Sequence, residues 1–371
     1  MNGLPLQPQP PAVDEVEFSL FGTGYGECIV LHLGRADWIV IDSCSDGQDN
    51  VPVALTYLRQ IGVSPENNVR LVVATHWHDD HIRGISKILD AAPLAKLAIS
   101  GAFQNKDFKL ALSPWMAQSS AIDGKGLGEI AQLGSIISKR TNGLTFASEN
   151  KLLFERHGPD PVQVRALSPS DPAVASCIAR LGTIEPGTFS RRLPRIDENH
   201  ASVVLSVQVG SRRMLLGGDL ECRADRKFGW LAIVDAQKGS DAPKHHLFKI
   251  PHHGSSNGHH EEIWAALLDP QPHSALTPMV SGSTNLPTPA DRERILEFSE
   301  KTFLTMWPRT TKFRYQENKA VEKMMKGTAR SLVAIPQSHG HVCMRGKLDA
   351  PPSNWTVTCC GKATHLRQMP D

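Results

Sequence analysis

From Val16 onward, short apolar runs alternate with glycine-rich or polar turns. Val16–Phe21, Cys28–Leu33 and Trp38–Ile41 read as three strands, separated by Gly22-Thr-Gly-Tyr-Gly26 and Gly34-Arg-Ala-Asp37. Ala54, Leu55, Leu58 and Ile61 recur at helical spacing, so Val53–Ile61 is predicted as a helix. Leu71–Ala74 is an unbroken apolar run, the pattern of a strand covered on both faces. A helix over Ile85–Ala92 and a strand over Lys96–Ser100 follow. Residues 101–125 carry Phe103, Trp115 and Met116 among polar residues and read as a loop-rich insertion.

The second half repeats the scheme. Leu127–Lys139 is a predicted helix, Leu152–Phe154 and Val162–Leu167 are strands, and Pro172–Leu181 is a short helix. After a loop at 183–199, Ser202–Val209 and Arg213–Leu216 form a hairpin through Gly210-Ser-Arg212. Leu247–Ile250 and Ala275–Pro278 are further strands, with helices at Glu262–Leu268 and Pro289–Lys301. Strand-like runs return at Arg330–Ile335, His341–Arg345 and Trp355–Cys360. Strands followed by helices in each half predict an α/β chain with two sheets packed face to face and helices outside, a four-layer αββα sandwich. The expected division is a loose tail at 1–13, a main domain at 14–300, and a strand-rich extension at 301–371 packed on the same domain.

Composition changes this picture little. The chain has 371 residues, 40% hydrophobic and 21% charged, enough to bury a core without staples. A net charge of +2 demands neither nucleic acid nor an anionic membrane. No run approaches the ~18 apolar residues of a membrane span, and Met1–Ala12 lacks the pattern of a signal peptide. Seven scattered cysteines fit free thiols in a reducing cytoplasm. The unusual feature is 16 histidines, several of them clustered.

Thr75-His-Trp-His-Asp-Asp-His81 places three histidines and two aspartates directly after the buried strand. Neutral imidazole suits zinc, and carboxylate oxygen can complete its shell. His76 and His78, two apart in extended chain, point the same way. Asp80 and His81 come where the chain bends toward a helix and can face a second cation. A site with a single metal is the simpler alternative. His200 and Asp219 lie at the two ends of the 202–216 hairpin, which brings them together. Pro251-His-His-Gly-Ser255 follows the next strand.

The His-x-His-x-Asp-His pattern after a buried strand resembles the signature of the metallo-β-lactamase superfamily. Asp42 at a strand end, His200, Gly218-Asp219 and the His252-His253 pair extend that resemblance from about Val16 to about Ala266. Phe21-Gly-x-Gly-x-Gly26, Asn199-x-x-Ser202, Leu216-Gly-Gly-Asp-Leu-Glu221 and His-His-Gly-Ser look most like the hydrolase domain of ComEC-type DNA-uptake proteins. The resemblance implies two zinc ions, with manganese or iron as substitutes. His76, His78 and His200 would hold one; Asp80, His81 and one of His252 or His253, preferably His253, would hold the other. Asp219 would bridge both. Asp42 would stand behind the ligands, hydrogen-bonded to a ligand histidine or a backbone amide.

A hydroxide shared by two cations about 3.5–4 Å apart would be the nucleophile. Asp80 and Asp219 would serve its chemistry, and His252 could protonate the leaving group. Arg191, Arg192 and Arg195, just before His200, are candidates to bind a substrate phosphate. The expected activity is hydrolysis of phosphodiesters, in nucleic acid or nucleotides. The alternatives are a hydrolase of a lactone, thioester or amide, which a large apolar pocket would favour, and a metal-stabilised effector subunit acting through a partner protein.

Two other patterns are set aside. Gly22-x-Gly-x-Gly26 precedes a strand, whereas a phosphate-binding loop opens a helix. Cys359 and Cys360 with His339, His341, Cys343 and His365 fit no familiar zinc spacing and alternate like a hairpin. The basic residues Arg309, Lys312, Arg314, Lys319, Lys323 and Lys326 read as a solvated face.

Overall fold

The computed structural model describes residues 9–22, 26–45, 51–104, 126–141, 143–182, 198–239, 241–281, 284–307 and 340–368. The first half supplies β1 (Glu15–Gly22), β2 (Glu27–Leu33), β3 (Trp38–Ile41), β4 (Val69–Ala74), β5 (Lys96–Ser100) and β6 (Leu144–Ala147). The second supplies β7 (Leu152–Arg156), β8 (Val162–Ala166), β9 (Leu205–Val209), β10 (Arg212–Leu216), β11 (His245–Lys249) and β12 (Leu268–Leu276). A separate hairpin joins β13 (Met279–Ser281) to β14 (Thr284–Leu286). Later strands are β15 (Thr302–Leu304), β16 (Gly340–Lys347), β17 (Thr356–Gly361) and β18 (Thr364–His365).

Among the described residues these strands make two eight-stranded sheets, ordered β17-β16-β1-β2-β3-β4-β5-β6 and β18-β15-β12-β11-β10-β9-β8-β7. Each sheet changes hand of pairing in the same way. β1, β2 and β3 are antiparallel, and β3 to β6 run parallel. Likewise β8, β9 and β10 are antiparallel, and β10, β11 and β12 run parallel.

The layering follows from period-two alternation. In β3, Ile39 and Ile41 join the core between the sheets, while Trp38 and Val40 face the helices on the first sheet. In β10, Met214 and Leu216 point inward and Leu215 outward. The outer core of the first sheet is closed by the helices Val53–Gln60, Ile85–Ala91 and Gly126–Ser138, through residues such as Leu58, Ile88 and Leu133. That of the second is closed by Gly229–Gln237, Glu261–Leu267 and Pro289–Phe298, through Trp230, Trp264 and Ile295. Three apolar layers between four layers of structure make the predicted αββα sandwich. No helix among the described residues is long and apolar enough to cross a membrane.

Several boundaries differ from the sequence reading. The helix expected to reach Lys301 stops at Phe298, because Ser299 turns inward and donates from its hydroxyl to Pro272 O at 2.8 Å. The short helix Gly229–Gln237 and the strand β6 escaped the hydrophobic pattern. β12 starts at Leu268, earlier than Ala275, despite Pro270 and Pro272. Most of 101–125, together with Arg330–Ile335, lies outside the described residues.

Candidate metal centre

Parallel neighbours end at the same edge of a sheet, and that is what assembles the site. β3 and β4 are paired and parallel, so Asp42 and the Thr75–His81 turn emerge side by side. β10 and β11 are likewise paired, so Asp219 and His252-His253 emerge together. The two sheets meet here directly: Val203 N donates to Thr75 O at 3.0 Å.

The turns are tightly specified. Asp42, His252 and His253 all have left-handed backbone, with φ of 58°, 46° and 54°. Non-glycine residues rarely adopt it, and it concentrates at sites where the surroundings enforce it. Gly218 has φ +50°, and a Cβ there would stand 2.6 Å from Ser202 Oγ and 2.9 Å from Val203 O. That Ser202 hydroxyl also accepts from Asp219 N at 3.0 Å, so the two ends of the hairpin do meet.

Three histidines present the same ring nitrogen to one point. Asp42 accepts from Thr75 N at 2.8 Å, from Thr75 Oγ1 at 2.7 Å, and from His81 Nδ1 at 2.8 Å. Because the Thr75 hydroxyl proton is spent on Asp42, His76 Nδ1 donates to Thr75 Oγ1 at 2.9 Å. His253 Nδ1 donates to Thr277 O at 3.0 Å. In the neutral form of each ring these bonds place the proton on Nδ1, so a cation displacing any second proton would meet an Nε2 lone pair.

Those Nε2 atoms face carboxylates. His81 Nε2 lies 3.2 Å from Asp219 Oδ2 and 3.8 Å from Asp80 Oδ2. His253 Nε2 lies 3.6 Å from Asp219 Oδ2 and 3.7 Å from Asp80 Oδ2. His76 Nε2 lies 4.0 Å from Asp219 Oδ2 and 3.1 Å from His78 Nδ1. Three sets, His76 with His81 and Asp219, Asp80 with His81 and His253, and Glu27 with Asp42 and His81, have ligand atoms all within 4.8 Å of one another. His81 Nε2, His253 Nε2 and Asp219 Oδ1 are buried without a well-directed hydrogen bond. Buried polar atoms are rarely left so, and an imidazole and carboxylate set of this kind fits a borderline cation such as zinc.

The electrostatics agree. Burial, then the neighbouring His81 and His78, hold His76 well below the usual imidazole range and so neutral. Burial opposes charge on His81, but Asp219, Asp80 and Asp42 outweigh it and raise that ring. Burial likewise opposes ionised Asp219, and His81 and His253 outweigh it, holding the carboxyl well down. Protons and cations thus compete for one anionic pocket.

Other predicted residues lie around this group. His200 and His78 belong to none of those sets; His200 has its Nε2 3.3 Å from Glu221 Oε2 and its Nδ1 2.6 Å from Arg223 Nη2. His252 faces the other way from His253: its Nδ1 is 2.8 Å from Asn257 Oδ1 and 3.4 Å from Glu221 Oε1. Asn199 Nδ2 donates to Glu221 Oε1 at 3.1 Å. Gly26, with φ +110°, brings backbone against Asp80, since a Cβ there would lie 2.9 Å from Asp80 O. Arg191, Arg192 and Arg195 lie outside the described residues, as do His339 and the basic run 309–326. β16 and β17 pair as a hairpin; within it His341 Nε2 meets Ser19 Oγ at 2.9 Å and its ring stacks on Phe21.

Sequence reasoning missed Glu27, Lys249, Thr277, Glu221 and Arg223. For Glu27 and Lys249 a signal existed. Both occupy the inward parity of strands whose other inward positions, Ile29, Leu31 and Leu247, are apolar. Glu221 closed the Leu216–Glu221 motif without being given a role, and Arg223 sits in a loop with no periodicity to betray it.

Two solved structures with limited similarity to the chain are a lactamase and a protein of the same fold name. The metallo-beta-lactamase from Cronobacter sakazakii, solved as a motif mutant, matches at 16% identity over 66% of this chain and 79% of its own, with a TM-score of 0.34. The metallo-beta-lactamase fold protein YhfI from Bacillus subtilis matches at 11% identity over 80% of this chain and 97% of its own, with a TM-score of 0.40. No curated protein sequence matches the chain. The family model described as the metallo-beta-lactamase superfamily matches residues 21–268, from the end of β1 to the start of β12. That span includes every strand end that builds the site, and the chain belongs to the metallo-beta-lactamase superfamily.

Proposed function

We propose that this chain is a two-cation hydrolase acting on phosphodiesters. The observation behind the hydrolase reading is the convergence of the His76, His81 and His253 Nε2 atoms on Asp80 and Asp219. His76, His78 and His200 would hold one cation, Asp80, His81 and His253 the other, with Asp219 between them. Such a pair, zinc by donor chemistry and manganese or iron as substitutes, supplies Lewis acidity and a water made nucleophilic near neutral pH. Asp219 would orient that water. His252, held by Asn257 and Glu221 at the rim, would deliver a proton to the leaving oxygen. Arg223, whose guanidinium contacts His200, and Arg191, Arg192 and Arg195 are candidates to bind the substrate phosphate.

The test begins with metal content after purification, then turnover of single- and double-stranded DNA, RNA, cyclic nucleotides and bis-p-nitrophenyl phosphate. Turnover lost in the His78→Ala, Asp80→Ala double variant supports the proposal. Activity confined to esters, lactones or amides sinks the phosphodiester assignment, and turnover that survives the double variant sinks the mechanism.

One observation favours a second reading, hydrolysis of an acyl substrate such as a lactone, thioester or amide. An apolar cavity of about 300 Å³ abuts His76, walled by Leu97, Ile99, Phe103, Ile130, Leu133 and Phe146 among others. An acyl chain would fill it at little desolvation cost. A rate on acyl esters that rises with chain length, and falls in Leu133→Trp, distinguishes this reading from the first.

A further inference from the structure

Beneath the candidate metal centre lies a charge pair that stability alone does not explain. Lys249, at the end of β11, and Glu27, at the start of β2, belong to different sheets, and both point into the layer between them. Their side chains are 0% and 1% exposed, and Lys249 Nζ lies 2.5 Å from Glu27 Oε1. Replacing a buried ion pair with apolar groups of similar size is often neutral or stabilising. The next inward residues on the same two strands, Ile29, Leu31 and Leu247, are apolar, so an apolar pair would extend that core.

The pair's remaining contacts all lead to predicted metal ligands. The Lys249 ammonium donates to Gly218 O at 3.0 Å and stands 3.8 Å from Asp219 Oδ1. It thus fixes the left-handed turn that aims Asp219. Glu27 Oε2 accepts from Thr277 Oγ1 at 2.6 Å, and Thr277 O is the acceptor that orients His253. Glu27 Oε1 is also 4.0 Å from His81 Nδ1. An ammonium has three donors; one is directed at the Gly218 carbonyl, and the contact with Glu27 is a close ion pair.

We propose that Glu27 and Lys249 form a cross-sheet clamp of positioning residues, which holds Asp219 and His253 in register with the Thr75–His81 turn and so sets the affinity of the site for divalent cations. This rests on the reading that the centre binds cations. Glu27 and Lys249 touch neither substrate nor reacting atoms. They act through the backbone of Gly218, the carbonyl of Thr277 and the charge beside Asp219. Outer partners of this kind typically change metal affinity by about 10–100-fold.

The experiment measures zinc affinity by competition with a chromophoric chelator. The proteins are full-length wild type, Glu27→Gln, Lys249→Met, the Glu27→Gln Lys249→Met double variant, and Thr277→Val. Circular dichroism and thermal midpoints establish the folded fraction, and affinity is referred to folded protein. We expect each single change at 27 or 249 to weaken binding at least about tenfold, with the double variant little worse than the singles because the pair acts as a unit. Thr277→Val, which removes one Glu27 hydrogen bond and a 3.3 Å hydroxyl contact with His253 Nδ1 but leaves the carbonyl acceptor of His253, should give a smaller loss in the same direction. Variants that lose thermal stability yet bind zinc within twofold of wild type would overturn the clamp. Should Lys249→Met not fold, Glu27→Gln and Thr277→Val decide the matter on the same criterion. Wild type that binds no divalent cation would overturn the metal reading itself, a result separable from normal binding in all the variants.

Discussion

His81 and Asp42 are joined at 2.8 Å through Nδ1, and this contact turns the opposite ring nitrogen toward Asp219 at 3.2 Å. Asp42 contributes no atom to the point where the histidines converge, yet it sets which His81 nitrogen carries the proton. Asp42→Asn should lose that control. The expected outcome is zinc affinity lowered about 10–100-fold with the fold retained. Chelator competition on the purified variant checks it, and unchanged affinity would count against the assigned tautomer.

Removing bound metal should destabilise the protein. Asp80 and Asp219 are buried carboxylates facing buried imidazoles, and a cation bound only by the folded state adds RT ln(1 + [L]/Kd). At a thousandfold excess over Kd that is about 4 kcal/mol. Thermal unfolding with and without a strong chelator, then with zinc restored, should show a fall and a recovery. Asp219→Ala should show neither.

Gly218→Ala should damage the site more than its size suggests. Its φ of +50° disfavours any side chain, and the added methyl would meet Ser202 Oγ at 2.6 Å and Val203 O at 2.9 Å. A loss of more than about 1 kcal/mol is expected. Because Lys249 holds the Gly218 carbonyl and Asp219 is next in the chain, metal binding should fall with it. Denaturant titration together with metal content reads both effects.

Mild acid should weaken the fold through His245. Burial lowers this imidazole to about 4, and its two nitrogens are engaged by Leu267 O and Ser206 Oγ, each at 2.8 Å. The unfolded chain takes up a proton near the ordinary value of about 6.5, whereas the folded chain resists until about 4. Stability is therefore full above 6.5 and lost as pH falls through that window, by up to about 3 kcal/mol from this residue. Denaturant unfolding at pH 7.5, 6 and 5 should show the decline, and His245→Gln should flatten part of it.

Much of the architecture was legible because alternation is a strong local signal. Trp38–Ile41 and Lys96–Ser100 were read with their observed bounds, and the cluster after Leu71–Ala74 stood out by composition. The convergence of Asp42, Asp219 and His253 on that cluster was inferable from strand order. Lys249 was harder, because a lysine at the end of a short strand normally reaches for water. Only pairing of the two sheets reveals that it faces Glu27. The helix Gly229–Gln237 was missed because Trp230 to Val234 is an unbroken apolar run, which displays no one-sided period. The preference of His200 for Glu221 and Arg223 depends on a loop whose course no pattern encodes.

β16 lies between β1 and β17, paired along all of β1 from Glu15↔Lys347 to Gly22↔Gly340. A strand made more than three hundred residues after its neighbour means that, during synthesis, β1 waits with a bare row of amides and carbonyls while almost the entire chain is produced. Such an edge invites pairing with other chains, and contacts between remote residues form late. Versions cut short before Gly340 would keep that edge open permanently. They should accumulate as aggregates even though every residue converging on Asp219 is still encoded.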